Sequence, residues 1–329
     1  MENMKFSSVN IDAKVLEKQQ EMKNSNTDFQ SSKKATFDPK NYLDLKLKED
    51  ETHKTVKVRF LPISSTDGTV FFSINTHALK VDKEIAKSGF KSYVCLNDEN
   101  VNSSEECPIC RKSRELFEKA AEYRKIGNEM AAEAENLDKN GQHDLANIKR
   151  RESVEKNSLS KSLYKEACSL KKKRTYIVRV IDREHEDEGV KFWRFNDNTK
   201  GEGVYDKLFS LYKTRKLESI EDGDGEYSIF DLYDGKDIII NVTKSFMPDG
   251  FGGIKETVAY NITDSGNRKP LSKDVEMANL WLNDSKTWMD VYSLKNADYL
   301  DLVVNGKIPI FNKELGKFVE KDKSDSEND

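Results

Sequence analysis

Hydrophobic and polar positions change rhythm several times along the 329 residues. The first 38 or so are polar, poor in aromatics and without period, which predicts a mobile arm before structure begins near NYLDLKL at residue 42. In TVKVRFLP, residues 55–62, Val56, Val58 and Phe60 alternate with polar neighbours, the period of a half-buried strand. STDGTVFFSINTHALKV then offers an Asp-Gly turn and a second β-rich run, and GFKSYVCL, residues 89–96, a third strand entered through a glycine. From 111 to about 170 the period lengthens. Leu116, Ala120, Tyr123, Met130, Ala134 and Leu137 recur at helical spacings, Asn140-Gly141 supplies a stop, and Leu145, Ile148, Leu159, Leu163 and Leu170 continue on a second amphipathic segment. This predicts a helical hairpin inserted into a β-rich domain.

Strand character returns in TYIVRVI (175–181) and VKFWRF (190–195), separated by the acidic loop DREHEDEG. A helix, VYDKLFSLYKTRK, and the strands KDIIINVTK (236–244) and TVAYNI (257–262) follow, the last two joined through the loop SFMPDGFGG. After residue 270 the pattern is helical again, with Trp281, Trp288, Tyr292 and Leu294 marking a packed C-terminal region before the polar, acidic end KDKSDSEND. Short strands with long, irregular connections predict an α+β chain built on a small, partly open barrel rather than a parallel sheet.

Charge refines this picture. Charged residues make up 35% of the chain and the net charge is −4, which argues against a uniformly basic surface. Residues 171–216, however, carry 13 Lys and Arg against 8 Asp and Glu, while 221–237 carry seven acids against one lysine. That separation suggests a basic face with acidic margins. No run approaches about 18 apolar residues, and the N-terminus MENMKFSSVNIDAK has no apolar signal region, so a cytoplasmic protein without membrane contact is expected.

Candidate chemistry centres on EECPICRK, residues 105–112. Cys107 and Cys110 admit three readings: a metal half-site, a redox dithiol, or two unrelated thiols. A helix start lowers a thiol pKa and favours redox chemistry, but thioredoxin-like proteins enter that motif from a buried strand, whereas here a polar loop precedes it. Upstream, Cys95 and His77 complete the spacing His77–x17–Cys95–x11–Cys107–x2–Cys110. One imidazole nitrogen and three thiolate sulfurs form a closed tetrahedral set suited to one structural Zn²⁺. His53 is an alternative fourth ligand; Cys168 reads as a buried small residue, and His143 and His185 as solvated. No nucleophile elbow, phosphate loop or zinc-protease motif is present, and acidic pairs are too abundant to single one out, so a binder rather than an enzyme is expected.

KKKRTY places Lys171, Lys172, Lys173 and Arg174 ahead of a strand beginning with Tyr176, and KFWRF interleaves Lys191 and Arg194 with Phe192, Trp193 and Phe195. Cations that neutralise phosphates beside rings that stack bases are the parts of a single-strand binding surface. Strand alternation puts Phe192 and Arg194 on one face and Trp193 on the other, and one of these faces must be core.

In this order, NYLDLKL…VKVRFLP, a His, a Cys, CPIC, KKKRTY, GVKFWRFN and VYDKLFSLY resemble the single-stranded DNA-binding, helix-destabilising proteins of T-even phages and their relatives, over residues 42–262. The resemblance implies an OB-fold-like barrel core with a zinc subdomain and an acidic tail that recruits replication and recombination proteins. It also implies a basic N-terminal arm used in self-association along the strand; here the arm holds only SSKKAT. It assigns His77, Cys95, Cys107 and Cys110 to zinc; Lys171, Lys172, Lys173, Arg174 and Tyr176 to the DNA groove; Phe192, Trp193 and Phe195 to the strand after an acidic loop; and Phe246 and Phe251 to a loop near DNA. The chain then divides into an arm (1–40), an OB-fold core (41–265) with the zinc subdomain (77–110) and hairpin insertion (111–170), a C-terminal helical region (266–318) and a tail (319–329). The hairpin is absent from the family and the ligand spacings are longer. The function implied is sequence-tolerant single-stranded DNA binding in phage replication, recombination and repair, in the host cytoplasm. Two rivals stay open: a zinc-containing adaptor that recruits such proteins through the hairpin and C-terminal region, and a thiol oxidoreductase. RNA in place of DNA also stays open, because ring stacking does not distinguish the sugars.

Overall fold

We describe the protein from a computed structural model that covers residues 39–63, 68–101, 103–197, 202–248, 253–292 and 294–321. Residues 1–38 of the N-terminal arm with its SSKKAT cluster, Phe251 and residues 322–329 of the acidic tail lie outside the described residues, whereas Val319 and Glu320, expected in the tail, are part of a strand. In chain order the elements are β1 (His53–Leu61), β2 (Phe72–Lys80), β3 (Phe90–Val94), α1 (Pro108–Lys139), α2 (His143–Ser169), β4 (Lys173–Asp182), β5 (Val190–Asn196), α3 (Val204–Glu221), β6 (Lys236–Pro248), β7 (Ile254–Arg268), α4 (Val275–Leu282), α5 (Ala297–Val304), β8 (Pro309–Asn312) and β9 (Lys317–Glu320). The chain forms two compact units, one from residues up to 74 with 174–293, the other from 75–173 with the residues from 294 onward. No described helix is long and apolar enough to cross a membrane.

The first unit is an antiparallel sheet ordered β2-β4-β1-β6-β7, with β5 pairing to β4 off this path. The sheet is open among the described residues, its order ending at β7. Its core gathers Val56, Val58 and Phe60 of β1 with Val178, Val180, Trp193, Leu208, Phe230, Ile238 and Ile240. Phe60 sits 5.2 Å from the Phe230 ring, 6.0 Å from Phe71 and 6.4 Å from Trp193. Each such side chain contributes about 1.5–3 kcal/mol when removed from water.

β4 departs from simple alternation: from Thr175 to Asp182 every residue is buried. Its second face is closed by Arg179, whose guanidinium donates to the carbonyls of Pro62, Ile63, Trp281 and Asp284 at 3.0–3.3 Å. These four bonds to the Nη1 and Nη2 groups offset the burial of the charge, while Nε has no partner.

In the second unit β3 pairs with the distal half of β2, placing His77 opposite Tyr93. α1 and α2 form the expected hairpin. At its tip Asn140 ends α1, Gly141 takes φ 76°, and the amides of Gly141 and Gln142 donate to Asp138 and Leu137, a Schellman closure that needs a residue without a side chain. The seam between the helices is made of small residues at heptad spacing: Ser113, Ala120, Gly127 and Ala134 on α1, and Ala146, Ser153, Ser160 and Ala167 on α2, all buried. Ser113 Oγ donates to the Ala167 carbonyl at 2.9 Å, Ser160 to Ala120 at 2.6 Å and Ser153 to Gly127 at 2.7 Å. Such bonds form only where two helix backbones approach closely, which small residues permit.

The C-terminal region holds more than helices. α4 and α5 are short, capped by Asp274 and Asn296, and the chain then turns into the β8–β9 hairpin. In the second unit Tyr299 of α5 packs on Tyr93 and on Phe318 of β9, and Asp301 takes a 2.8 Å hydrogen bond from Arg111.

Candidate functional site

His77, Cys95, Cys107 and Cys110 come together with their ligand atoms within 4.8 Å of one another. Three pieces of local structure deliver them. Asn75 O accepts from Cys95 N at 2.9 Å, so Cys95 stands diagonally across the β2–β3 ladder from His77, on the same face. Beyond Cys95 the chain is turned by Asp98, whose carboxylate accepts from Asn75 N and Asn100 N at 2.7 and 2.9 Å. Cys107 then caps α1, with Pro108 at the first helical position, where its missing N–H is no loss. The cap and the third helical residue face the same way, so CPIC folds both sulfurs towards one point. Asn97 Oδ1 accepts from Cys107 N at 2.8 Å and locks that start.

The spacing within the cluster is that of a tetrahedral site. His77 Nε2 lies 3.6 Å from Cys107 Sγ and 3.5 Å from Cys110 Sγ, and Cys95 Sγ lies 3.5 Å from Cys110 Sγ. Zinc bonds of about 2.3 Å to sulfur and about 2.0 Å to nitrogen imply S···N separations of about 3.5 Å and S···S of about 3.8 Å. His77 presents Nε2 because its Nδ1 is engaged 2.7 Å from the Leu170 carbonyl, at the end of α2. Sequence reasoning missed this partner, since a backbone carbonyl is the same in every residue type.

Electrostatics also favour a cation. The hydrogen bonds of Cys110 and Cys95 pull the Cys107 thiol far down, and those of Cys107 and Cys110 push the Cys95 thiol far up. Burial opposes charge on His77, but its contacts with the Cys107 and Cys110 sulfurs outweigh it and push the imidazole up to about 9. The two buried thiols, Cys95 and Cys107, thus compete for negative charge beside the half-buried Cys110. A divalent ion removes the conflict by accepting all three as thiolates with a neutral imidazole. With four protein ligands there is no open position, which gives a structural rather than a catalytic centre. His53, the alternative ligand, is exposed at the start of β1; His143 and His185 are exposed too, and Cys168 is half-buried.

The other candidate residues divide into exposed and enclosed. Lys171, Lys172, Lys173 and Arg174 are exposed, although Lys171 Nζ rests 4.8 Å from the Phe117 ring. Phe192 and Trp193 are 2% and 4% exposed and belong to the core; Tyr176 and Phe195, both buried, stack on each other. Both faces of β5 are therefore covered, where alternation called for only one. Arg194 is held between the rings of Tyr42 and Tyr292, 4.4 and 4.8 Å away, and donates to Val291 O at 3.3 Å. Lys191 is buried and paired with Glu188. Phe246 is 66% exposed, on the same face of the β6–β7 ribbon as the exposed Val258 and Ile254.

No family model matches the chain, and no curated protein matches it.

Proposed function

We propose that the chain is a sequence-tolerant single-stranded DNA-binding protein of the T-even phage type. In this reading the sheet of the first unit is an OB-like, partly open barrel, and His77, Cys95, Cys107 and Cys110 hold one zinc ion that braces the second unit. The protein then serves phage replication, recombination and repair by coating strands and carries no reaction of its own.

What supports the reading most is the convergence of the four ligands. They are the most specific element of the resemblance, they are spread over 34 residues, and their atoms lie within 4.8 Å. The run Lys171–Lys172–Lys173–Arg174 is exposed and groups four cations of the kind that neutralise phosphates, and Phe246 offers a ring that the core does not use. Phe192, Trp193 and Arg194 support the strands beneath, since a ring packed on all sides presents no face to a base.

Titration of poly(dT) against a duplex of equal length tests this function. Preference for the single strand by at least tenfold is expected. Equal affinity, or none tighter than the roughly 10⁻⁴–10⁻⁶ M typical of non-specific binding, sinks the reading. A matched RNA strand in the same titration decides the sugar.

A further inference from the structure

Four aromatic rings of the first unit stand in a row that runs from core to surface. Phe195 and Tyr176 are cross-strand partners with ring centroids 5.7 Å apart. Tyr176 lies 4.3 Å from Tyr205 of α3 with planes 3° apart, and Tyr205 lies 5.8 Å from Phe209 with planes 9° apart. One helical turn further on, Lys213 places its ammonium 4.1 Å from the centre of the Phe209 ring. Phe195 and Tyr176 are buried, Tyr205 and Phe209 half-buried, and Lys213 exposed. The residues of α3 are spaced i, i+4, i+8, so one flank of the helix carries the outer part of the row.

Phe209 also lies 6.3 Å from the buried Tyr212, whose ring is 6.2 Å from Phe230 of the core, so the row meets the core again on that side. Phe209 itself stands under the Lys213 cation, and among the described residues Lys213 has no carboxylate partner. On an accessible ring face a base stacks more strongly than an ammonium does. A base arriving at Phe209 would therefore displace Lys213, and the freed ammonium stands ready for the phosphate of the same nucleotide. Any base has the required π-face, so the site needs no sequence.

We propose that Phe209 is a landing platform for a nucleobase of a single strand, with Lys213 moving from the ring to the phosphate when the base arrives. This rests on the single-strand reading above and adds a residue of α3 to the candidate strand contacts.

The test is a fluorescence titration of the full chain with oligo(dT), comparing the unaltered protein with Phe209→Leu, Phe209→Trp and Lys213→Gln. Phe209→Leu is expected to weaken binding by about 5- to 100-fold, the range of one lost base stack, with the thermal midpoint kept. Phe209→Trp is expected to keep the affinity and to lose indole fluorescence as the strand binds. Lys213→Gln is expected to reduce the salt slope by about one phosphate contact. If Phe209→Leu binds within twofold of a tightly binding unaltered protein, or the Phe209→Trp fluorescence does not respond, the platform is disproved while single-strand binding stands. If the unaltered protein does not bind oligo(dT), the functional reading fails and the platform with it.

Discussion

A single carboxylate, Asp237 on β6, is fully buried against cations from several elements. Lys269 Nζ lies 2.6 Å away, Arg183 Nε 3.0 Å, Arg59 Nη1 3.7 Å and Lys57 Nζ 3.8 Å. Burial alone would raise the Asp237 pKa; hydrogen bonding from Lys269 and the charge of Arg183 reverse that and hold it below the usual carboxylate value. Burial in turn lowers Arg59 to about 10, against the opposing pull of Asp237. The linkage has one sign. A depressed folded pKa contributes stability that is present above the unfolded value of about 3.9 and is lost as pH falls through the folded value. Asp264, held low against its own burial by Arg215, adds a contribution of the same sign. Denaturation midpoints should therefore fall as the solution is acidified below about pH 4. Asp237→Asn should flatten part of that slope and cost about 3–5 kcal/mol, because it leaves the buried Arg59 without its counter-charge, whereas Arg183 keeps Glu186. Little of this was legible in the sequence, where acids and bases are so frequent that no pairing stands out. The His77, Cys95, Cys107 and Cys110 cluster was legible for the opposite reason: cysteine is scarce, and a CxxC with a helix behind it limits which residues can join it. Cys110→Ser is expected to lower zinc content and thermal midpoint together, measured by metal analysis and melting of the same sample. A midpoint lowered at full zinc content, or the reverse, would separate Cys110 from the metal.

At the scale of elements the hairpin carries the clearest lesson. The recurring large residues announce two helices, but small residues every seventh position decide how they meet. Of the large residues Leu116 is buried with the small ones, while Tyr123, Met130 and Leu137 are half-buried, and the Lys156 ammonium lies 5.4 Å from the Tyr123 ring. A reading that weights bulk sees these before the seam. Enlarging one layer, as in Ala120→Leu, should cost about 1–3 kcal/mol by forcing the helices apart, and should raise amide exchange in α1 and α2. Ser160→Ala should cost about 0.5–1.5 kcal/mol through the lost bond to Ala120. Unchanged exchange in Ala120→Leu would mean that the helices do not meet at that layer. The β8–β9 hairpin escaped notice because each strand is only four residues long, too short for a period to appear. The strands of the core were easier to read, yet their patterns gave the wrong impression of what they display. β4 and β5 are buried on both faces, so their aromatic residues serve as core, and alternation alone cannot tell a solvent face from a second interior one.

For the whole molecule, the net charge of −4 is a poor guide to what it binds. An acidic protein still binds a polyanion when its cations are grouped, and the exposed run from Lys171 to Arg174 is such a group. Binding of this kind releases counterions, so affinity must fall steeply with salt. The His77, Cys95, Cys107 and Cys110 cluster ties the start of α1 to the β2–β3 ladder, and the Leu170 carbonyl at the end of α2 lies 2.7 Å from His77 Nδ1. The most direct measurement is an oligo(dT) binding isotherm at 50 and 200 mM salt, with the metal intact and after chelation. Binding tighter than about 10⁻⁶ M is expected at low salt, falling by at least tenfold at the higher salt and weakening on chelation in step with lost thermal stability. An isotherm that is flat at both salts, or unmoved by salt, would contradict single-strand binding by a metal-braced, phosphate-neutralising surface.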